Sequence, residues 1–195
     1  MIKERIAKII RIVSVPPIMV SIFILILAFN KSDIFRNPAE IIIMIVLLGF
    51  VPALAYVLSG LVPKVKEQGR EGQRKLAFVT NLVGYSVALL WAVFTNVGKK
   101  LLLICLTYFL SVVLLTICNK GFHFRASGHA SSFTGPLILL VYFLGWKVII
   151  AVLIIAVLIV WASVYLKRHT IKELVGGILV NIIAFIFSII IITVL

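Results

Sequence analysis

Two histidines in this sequence stand beside groups that suit them for nucleophilic attack or proton transfer. His169 lies four positions before Glu173, so on one face of a helix the carboxylate can hold an imidazole nitrogen. That contact fixes the tautomer and raises the basicity of the outward nitrogen, as a nucleophile or a proton acceptor requires. The alternative is an ordinary polar turn between two apolar segments, which would show the same spacing.

The second histidine, His129, follows Ser127 and Gly128 at the start of an apolar segment. A helix that begins there presents unpaired backbone N–H groups and the positive end of its dipole, which together favour an oxyanion. Ser127 can cap the helix or donate to a phosphate oxygen, and Gly128 lets a ligand approach the backbone. His129 can hold or deliver a proton near neutral pH. The alternative is a plain N-cap with a histidine in the interfacial region.

Cations in the polar connections complete a set of groups that suits phosphoryl chemistry. The set contains a nucleophile, a general acid and an electrostatic clamp. Cys105 and Cys118 lie within one apolar segment at no metal-like spacing and are most simply free thiols. No metal site and no cofactor is predicted. Besides Ser127 and Gly128, the predicted phosphate ligands are Lys66, Arg70, Arg74, Arg125 and Arg168.

The composition indicates a membrane protein with several helical spans. The chain has 195 residues, of which 63% are hydrophobic. Its mean hydropathy of +1.26 is too high for a soluble domain, so we expect an all-α transmembrane bundle that forms one domain over residues 1–195. The net charge of +13 would indicate nucleic acid in a soluble protein. Here the cations fall in short connections, where topology and anionic headgroups explain them, and nucleic acid is excluded as a partner.

Seven apolar segments are expected, or six if the short fifth one does not span. Pro16 and Pro17 predict a kink or a late helix start in the first segment. Two tight hairpins, about Lys99–Lys100 and about Lys147, return the chain to the side from which it came. The three polar clusters are therefore predicted to lie on one membrane face. The predicted spans cover residues 9–29, 39–62, 76–98, 101–118, 127–146, 148–166 and 174–195.

The distribution of charge predicts the orientation of this face. Of the 19 Lys and Arg residues, 14 lie on the face with the N-terminus and the polar clusters, against five on the other. The positive-inside rule then places the polar clusters at the cytoplasmic face of the cell membrane. This ratio overstates the case, because six of the 14 are candidate phosphate contacts, namely Lys66, Arg70, Arg74, Lys120, Arg125 and Arg168. The five Lys and Arg residues on the other face are Lys31, Arg36, Lys99, Lys100 and Lys147.

The polar clusters resemble the motifs of the type 2 phosphatidic acid phosphatase superfamily, which also includes vanadium-dependent haloperoxidases. The family's second motif, Pro-Ser-Gly-His, corresponds to residues 126–129, which read Ala-Ser-Gly-His. Its third, Ser-Arg-x5-His-x3-Asp, corresponds to His169 and Glu173, with Glu in place of Asp. The resemblance covers about residues 63–177 and implies that family's helical core. The first motif, Lys-x6-Arg-Pro, has no match, and the nearest residues are Lys66, Arg70 and Arg74.

The resemblance implies a metal-independent phosphatase that works through a phosphohistidine. In it His169 attacks phosphorus, Glu173 orients His169, His129 protonates the leaving group, and the cations with Ser127 and Gly128 neutralise the phosphate oxygens. The largest departure is Ser163, which stands where the family has the arginine that grips the phosphate. Without an arginine at this position, either another arginine supplies the charge or the protein is weakly active or inactive. One such donor contributes about 2 to 4 kcal/mol to transition-state stabilisation.

The location of the polar clusters predicts the class of substrate. A site at the bilayer surface, open between apolar helices, favours a phosphate that carries a lipid tail. Isoprenoid or polyprenyl phosphates and diphosphates are ranked slightly ahead of phosphatidate-like lipids. Two alternatives stay open. One is a non-catalytic membrane protein that binds or transports anionic lipid or phosphate, and the other is a lipid phosphotransferase that uses the same residues.

Overall fold

A computed structural model describes residues 2–195 of the chain. Within these residues the regular secondary structure is helical throughout, which confirms the all-α prediction. The α-helices are α1 (Ile2–Val13), α2 (Pro16–Asn30), α3 (Pro38–Ile45), α4 (Val51–Leu61), α5 (Pro63–Glu67), α6 (Gly69–Phe94), α7 (Lys99–Thr116), α8 (Gly128–Leu144), α9 (Ile149–Tyr165) and α10 (Ile171–Val194).

Several of these helices are long and apolar enough to cross a membrane. Five helical segments meet that description by length and composition, and a sixth is added if the bent pair α1 and α2 counts as one span. One of the five contains both α8 and α9. These helices fit a multi-pass membrane protein. The five segments are Pro38–Leu61, Gly69–Phe94, Lys99–Gly121, Gly128–Tyr165 and Ile171–Val194.

The segment Gly128–Tyr165 folds back on itself. Gly145 ends α8 with a φ of 75°, a left-handed value that glycine adopts without strain. The imidazole of His129 at the start of α8 lies 6.4 Å from that of His169, which follows α9, so the two ends of the segment meet. The predicted hairpin about Lys147 is therefore present. Each of its 17-residue helices is about 25 Å long.

The first apolar segment differs from the single span expected over residues 9–29. It divides into α1 and α2, whose axes meet at 64°. Pro16 and Pro17 lack backbone N–H groups and suit the first turn of a new helix, so the chain starts again at that point. After the bend α1 packs against α9 and α2 against α8. The bend at the proline pair therefore allows the short basic helix α1 to pack on α9 while α2 packs on α8.

Polar contacts identify the two ends of the bundle. At one end Arg36 donates to the carbonyl of Asn96 over 3.2 Å, and Lys100 pairs with Asp33. At the other end the Ser127 amide donates to the Glu173 carbonyl over 2.9 Å. We call this second end the basic end, and it contains the starts of α6, α8 and α10 and the ends of α1, α7 and α9. The prediction that the polar clusters share one face is confirmed in the sense that they share one end of the bundle.

Helix α10 holds the basic end together because it packs closely on both α7 and α8. Gly177 brings the two backbones together, since a β-carbon there would collide with the carbonyl oxygen of Ser127. The neighbouring Gly176 leaves room for the ring of Phe124 in the same way. These two glycines let the first turn of α10, which carries Glu173, lie against the loop before α8.

Candidate functional site

The two predicted histidines face each other at the basic end. His129 lies in the first turn of α8, and His169 lies in the short connection between α9 and α10. Their rings are nearly parallel, at 8°, with centroids 6.4 Å apart. Residues 40 positions apart are thus brought to a spacing that one tetrahedral oxyanion can bridge.

Glu173 holds His169 as the sequence predicts. The carboxylate oxygen Oε2 lies 3.3 Å from Nδ1 of the imidazole. The same oxygen accepts the Thr170 amide, while the Thr170 hydroxyl accepts the Glu173 amide, and this capping box fixes the carboxylate at the start of α10. With Nδ1 turned to the carboxylate, Nε2 is the nitrogen left for chemistry.

His169 sits in an environment that keeps its imidazole neutral. Burial lowers the pKa of His169 below its ordinary value of 6.5, and the charges of Arg11 and Arg125 lower that pKa further. Glu173 acts in the opposite direction, through its hydrogen bond and its charge. Because only the neutral imidazole has a free lone pair, this balance favours a nucleophilic form at neutral pH.

Ser127 serves as the cap of α8. Its hydroxyl accepts the amide of Ala130 over 3.1 Å, and the side chain is buried. Its own amide donates to the carbonyl of Glu173, which ties the start of α8 to α10. Two roles were predicted for Ser127, capping the helix and donating to a phosphate oxygen, and the observed hydrogen bond is that of a cap. The backbone of Gly128 follows directly, at the N-terminal end of the helix dipole.

Two of the predicted phosphate ligands line a neighbouring cavity of about 270 Å³. Arg74 donates there to the side chain of Asn119 and lies 3.9 Å from Glu71. Arg125 joins this cavity to the histidines, since its Nε lies 3.2 Å from the Glu173 carboxylate. The lining residues are Glu71, Arg74, Lys75, Phe78, Asn119, Lys120, His123 and Arg125.

The remaining predicted cations lie at the surface of the basic end. Lys66, Arg70 and Arg168 are exposed, and none of them forms an ion pair within residues 2–195. Arg70 and Arg168 are close enough for their charges to act on Arg11. Lys66 belongs to the short helix α5.

Ser163, at the position where the resemblance implies an arginine, is an uncharged residue. The side chain is buried in α9 and donates to the carbonyl of Ile159 over 2.8 Å. The Ser163 carbonyl accepts the Arg168 amide, which helps to end the helix. This residue is therefore part of the helix packing and offers nothing to an anion.

Sequence reasoning missed two residues at the end of α1. The Ser14 hydroxyl oxygen lies 3.3 Å from Nε2 of His129, and it also donates to the carbonyl of Arg11. The charge of Arg11 acts on both His129 and His169. In the sequence, Arg11 was considered only as one of the positive charges that indicate topology. The one feature that could have pointed to a role at the site is its position just before the break at Pro16 and Pro17.

The arrangement can bind an oxyanion between two imidazoles and stabilise its charge from several sides. One imidazole is oriented by a carboxylate, and the other follows the start of a helix. Within residues 2–195, no three His, Cys, Asp or Glu side chains converge as the ligands of a metal ion. Comparison of this chain with models of protein families, with curated proteins and with solved structures found no match.

Proposed function

We propose that this protein is a membrane-embedded, metal-independent lipid phosphatase with a core like that of the type 2 phosphatidic acid phosphatases. The observation that carries the proposal is the pair of parallel imidazoles 6.4 Å apart, one of them held by a carboxylate. A nucleophile and a proton donor on opposite sides of one phosphoryl group need this arrangement. The helices around the site support a substrate that stays in the membrane.

The reaction proceeds in two displacements. Nε2 of His169 attacks phosphorus, and the bond to the ester oxygen breaks with its electron pair passing to that oxygen, which takes a proton from the imidazolium form of His129 and leaves that imidazole neutral. Water then attacks the phosphohistidine, His129 takes a proton from the water, and the N–P electron pair returns to Nε2 as inorganic phosphate leaves. Glu173 stabilises the positive charge that His169 carries in the intermediate.

The other predicted ligands act from two directions. The backbone of Gly128, at the positive end of the α8 dipole, faces the phosphoryl oxygens, and Arg70 and Arg168 add charge from the surface. Arg74 and Arg125 line the adjacent cavity and hold the rest of the polar headgroup. Lys66 contributes only to the potential that draws anionic lipids to this end.

The substrate class follows from the surface around the site. The outward faces of the helices are rich in exposed apolar side chains, which in a membrane lie against lipid tails. A phosphate with a lipid tail therefore reaches the histidines without leaving the bilayer. Isoprenoid or polyprenyl phosphates and diphosphates, and phosphatidate-like lipids, meet this condition, and the charge count favours reaction at the cytoplasmic face of the cell membrane.

The proposal is tested by measuring phosphate release from short-chain isoprenoid and glycerolipid phosphates in detergent without added metal. His169→Ala should lower the rate on the order of 10³-fold or more, since it removes the nucleophile. Lys167→Asn is the matched control, because Lys167 is exposed at the same end and its φ of 51° suits Asn. Release that is equal in the wild type and in His169→Ala would refute the phosphatase.

The second candidate function is a protein that binds anionic lipid without turnover, and the buried, uncharged Ser163 favours it. In that case orthovanadate or lipid phosphate would bind to the wild type, but no tested substrate would release phosphate. A phosphotransferase would use the same residues and give a different product. Adding short alcohols as acceptors and analysing for new phosphate esters separates it from the hydrolase.

A further inference from the structure

We infer that Arg11 binds the phosphoryl group of the substrate from the N-terminal helix α1, and so supplies the guanidinium that position 163 lacks. The inference rests on the proposed function of the histidine pair and adds a residue to it. It assigns a substrate-binding role to a helix that lies outside the stretch where the family motifs fall.

The first observation is the state of the guanidinium itself. Nη1 of Arg11 is buried and has no hydrogen-bond partner within residues 2–195. A buried cationic donor without an acceptor is unfavourable, and proteins accept it mainly where a ligand completes the set. The side chain as a whole is only partly buried.

The second observation is the kind of charge around Arg11. The charged groups that act on it are Arg70 and Arg168, and its own charge acts on His129 and His169. Within residues 2–195, no Asp or Glu is among the groups whose charge acts on Arg11. Tyr56 is the one group there whose interaction favours the charged guanidinium, whereas Arg70 and Arg168 repel it. Arg11 therefore faces neutral and cationic groups, and an anion shared with the two histidines is the partner that neutralises it.

The third observation is that the end of α1 is fixed in place. Ser14 joins the Arg11 carbonyl to Nε2 of His129, with distances of 3.2 and 3.3 Å from its hydroxyl oxygen. Ile10 packs on the apolar cluster that contains Ala130, Ile159 and Leu174, and α1 packs against α9, so the same helix end is held where α8, α9 and α10 meet. This packing positions a guanidinium for a bidentate contact with two phosphoryl oxygens.

Helix α1 offers matched controls for Arg11. Arg5 is exposed on the same helix and has no ion pair within residues 2–195. Lys8 pairs with Glu4 over 2.7 Å on the exposed surface. Arg5→Gln therefore removes one positive charge from α1 without touching the histidine pair.

The test measures orthovanadate binding to the purified protein in detergent, together with phosphate release. Vanadate serves as the probe because it has the shape and charge of the phosphoryl group and its binding does not require turnover. Arg11→Gln should weaken vanadate affinity about 100-fold, since it removes a charged donor at the oxyanion. Arg5→Gln should leave the affinity within about twofold, because rim charges contribute little.

Arg11→Lys keeps the charge and loses the planar fork, and it serves if Arg11→Gln does not fold. It should bind vanadate about tenfold more weakly than the wild type at an unchanged unfolding temperature. Suppose that the wild type binds vanadate and releases phosphate, and that Arg11→Lys or Arg11→Gln binds vanadate with the same affinity. That result would overturn the role of Arg11 and leave the proposed phosphatase standing. A wild type that neither binds vanadate nor releases phosphate would overturn this inference and the proposed phosphatase together.

Discussion

Glu173 holds two side chains at once with its two carboxylate oxygens. Oε2 faces Nδ1 of His169, and Oε1 faces Nε of Arg125, at 3.3 and 3.2 Å. The contact with His169 could be predicted from the four-residue spacing on one helix face. The contact with Arg125 could not, because Arg125 reaches Glu173 only through the packing of the loop before α8 against α10.

Replacing Glu173 with Gln keeps the shape of the side chain and removes its charge. The Glu173→Gln protein should release phosphate 10² to 10⁴ times more slowly, on the order of the contribution of an oriented acid–base group. Glu67→Gln, an exposed change at the same end of the bundle, should stay within about twofold. A Glu173→Gln protein with the wild-type rate would show that the carboxylate does not orient the nucleophile.

The environment of His169 predicts a definite pH dependence. Its pKa is lowered, mainly by burial, so the neutral, nucleophilic form persists below the ordinary value of 6.5. The rate should therefore fall on acidification only when the pH drops below 6.5. Arg125→Gln removes a charge that lowers this pKa and should move the acidic limb upward. A limb that stays fixed in Arg125→Gln, or one that lies above 6.5 in the wild type, would contradict this account of the histidine.

At the scale of the helices, the start of α10 sets the position of half the site. Gly176 and Gly177 allow it to lie against Phe124 and the carbonyl of Ser127. The amide of Ser127 then meets the carbonyl of Glu173, so α8 and α10 are joined by backbone as well as by side chains. Neither glycine touches phosphate in this account, yet both determine the distance between the two imidazoles.

Gly177→Ala should separate the two helices, because its β-carbon would collide with backbone rather than with a mobile side chain. We expect a lower unfolding temperature and at least tenfold weaker vanadate binding, since overpacking of this kind costs about 1 to 3 kcal/mol. Gly60→Ala is the matched control, because nothing lies within 4 Å of a β-carbon at that position in α4. Equal unfolding temperatures for the two variants would contradict the role given to Gly177.

Hairpins and long apolar spans could be predicted from the sequence, and the start of the chain could not. Hydropathy and the short basic connections place α7, α8 and α9 within two residues of their observed limits, whereas α6 begins at Gly69, seven residues before the predicted start of its span. The proline pair predicts that the helix breaks there. It does not predict on which helix α1, the segment before the break, will pack. That choice depends on the surface of α9, and so the contact of Ser14 with His129 has no local signal.

At the scale of the molecule, the basic end concentrates most of the cationic side chains. The opposite end has short connections and two compact ion pairs, Arg36 with Glu40 and Lys100 with Asp33. An even number of crossings between clusters is enough to predict that the polar stretches meet at one end. It is not enough to predict which cations face the histidines, because Arg74 turns to Asn119 and Lys66 stays exposed.

The orientation of the bundle can be tested with single cysteines in a chain whose Cys105 and Cys118 are replaced. A cysteine at Lys66 should react with a membrane-impermeant maleimide only after the membrane is opened, since the positive-inside rule predicts that the basic end faces the cytoplasm. A cysteine at Lys31, at the opposite end, should react in intact cells. The reverse pattern would place the site on the outer face.

The most direct test of the account is to trap the covalent intermediate. The purified protein is mixed with a short-chain lipid phosphate labelled on phosphorus, quenched within milliseconds to seconds, and analysed by peptide mass spectrometry. We predict an acid-labile phosphoryl group on His169 that is absent from His169→Ala. A protein that releases phosphate while no label appears on His169, or while the label lies on another residue, would contradict the mechanism.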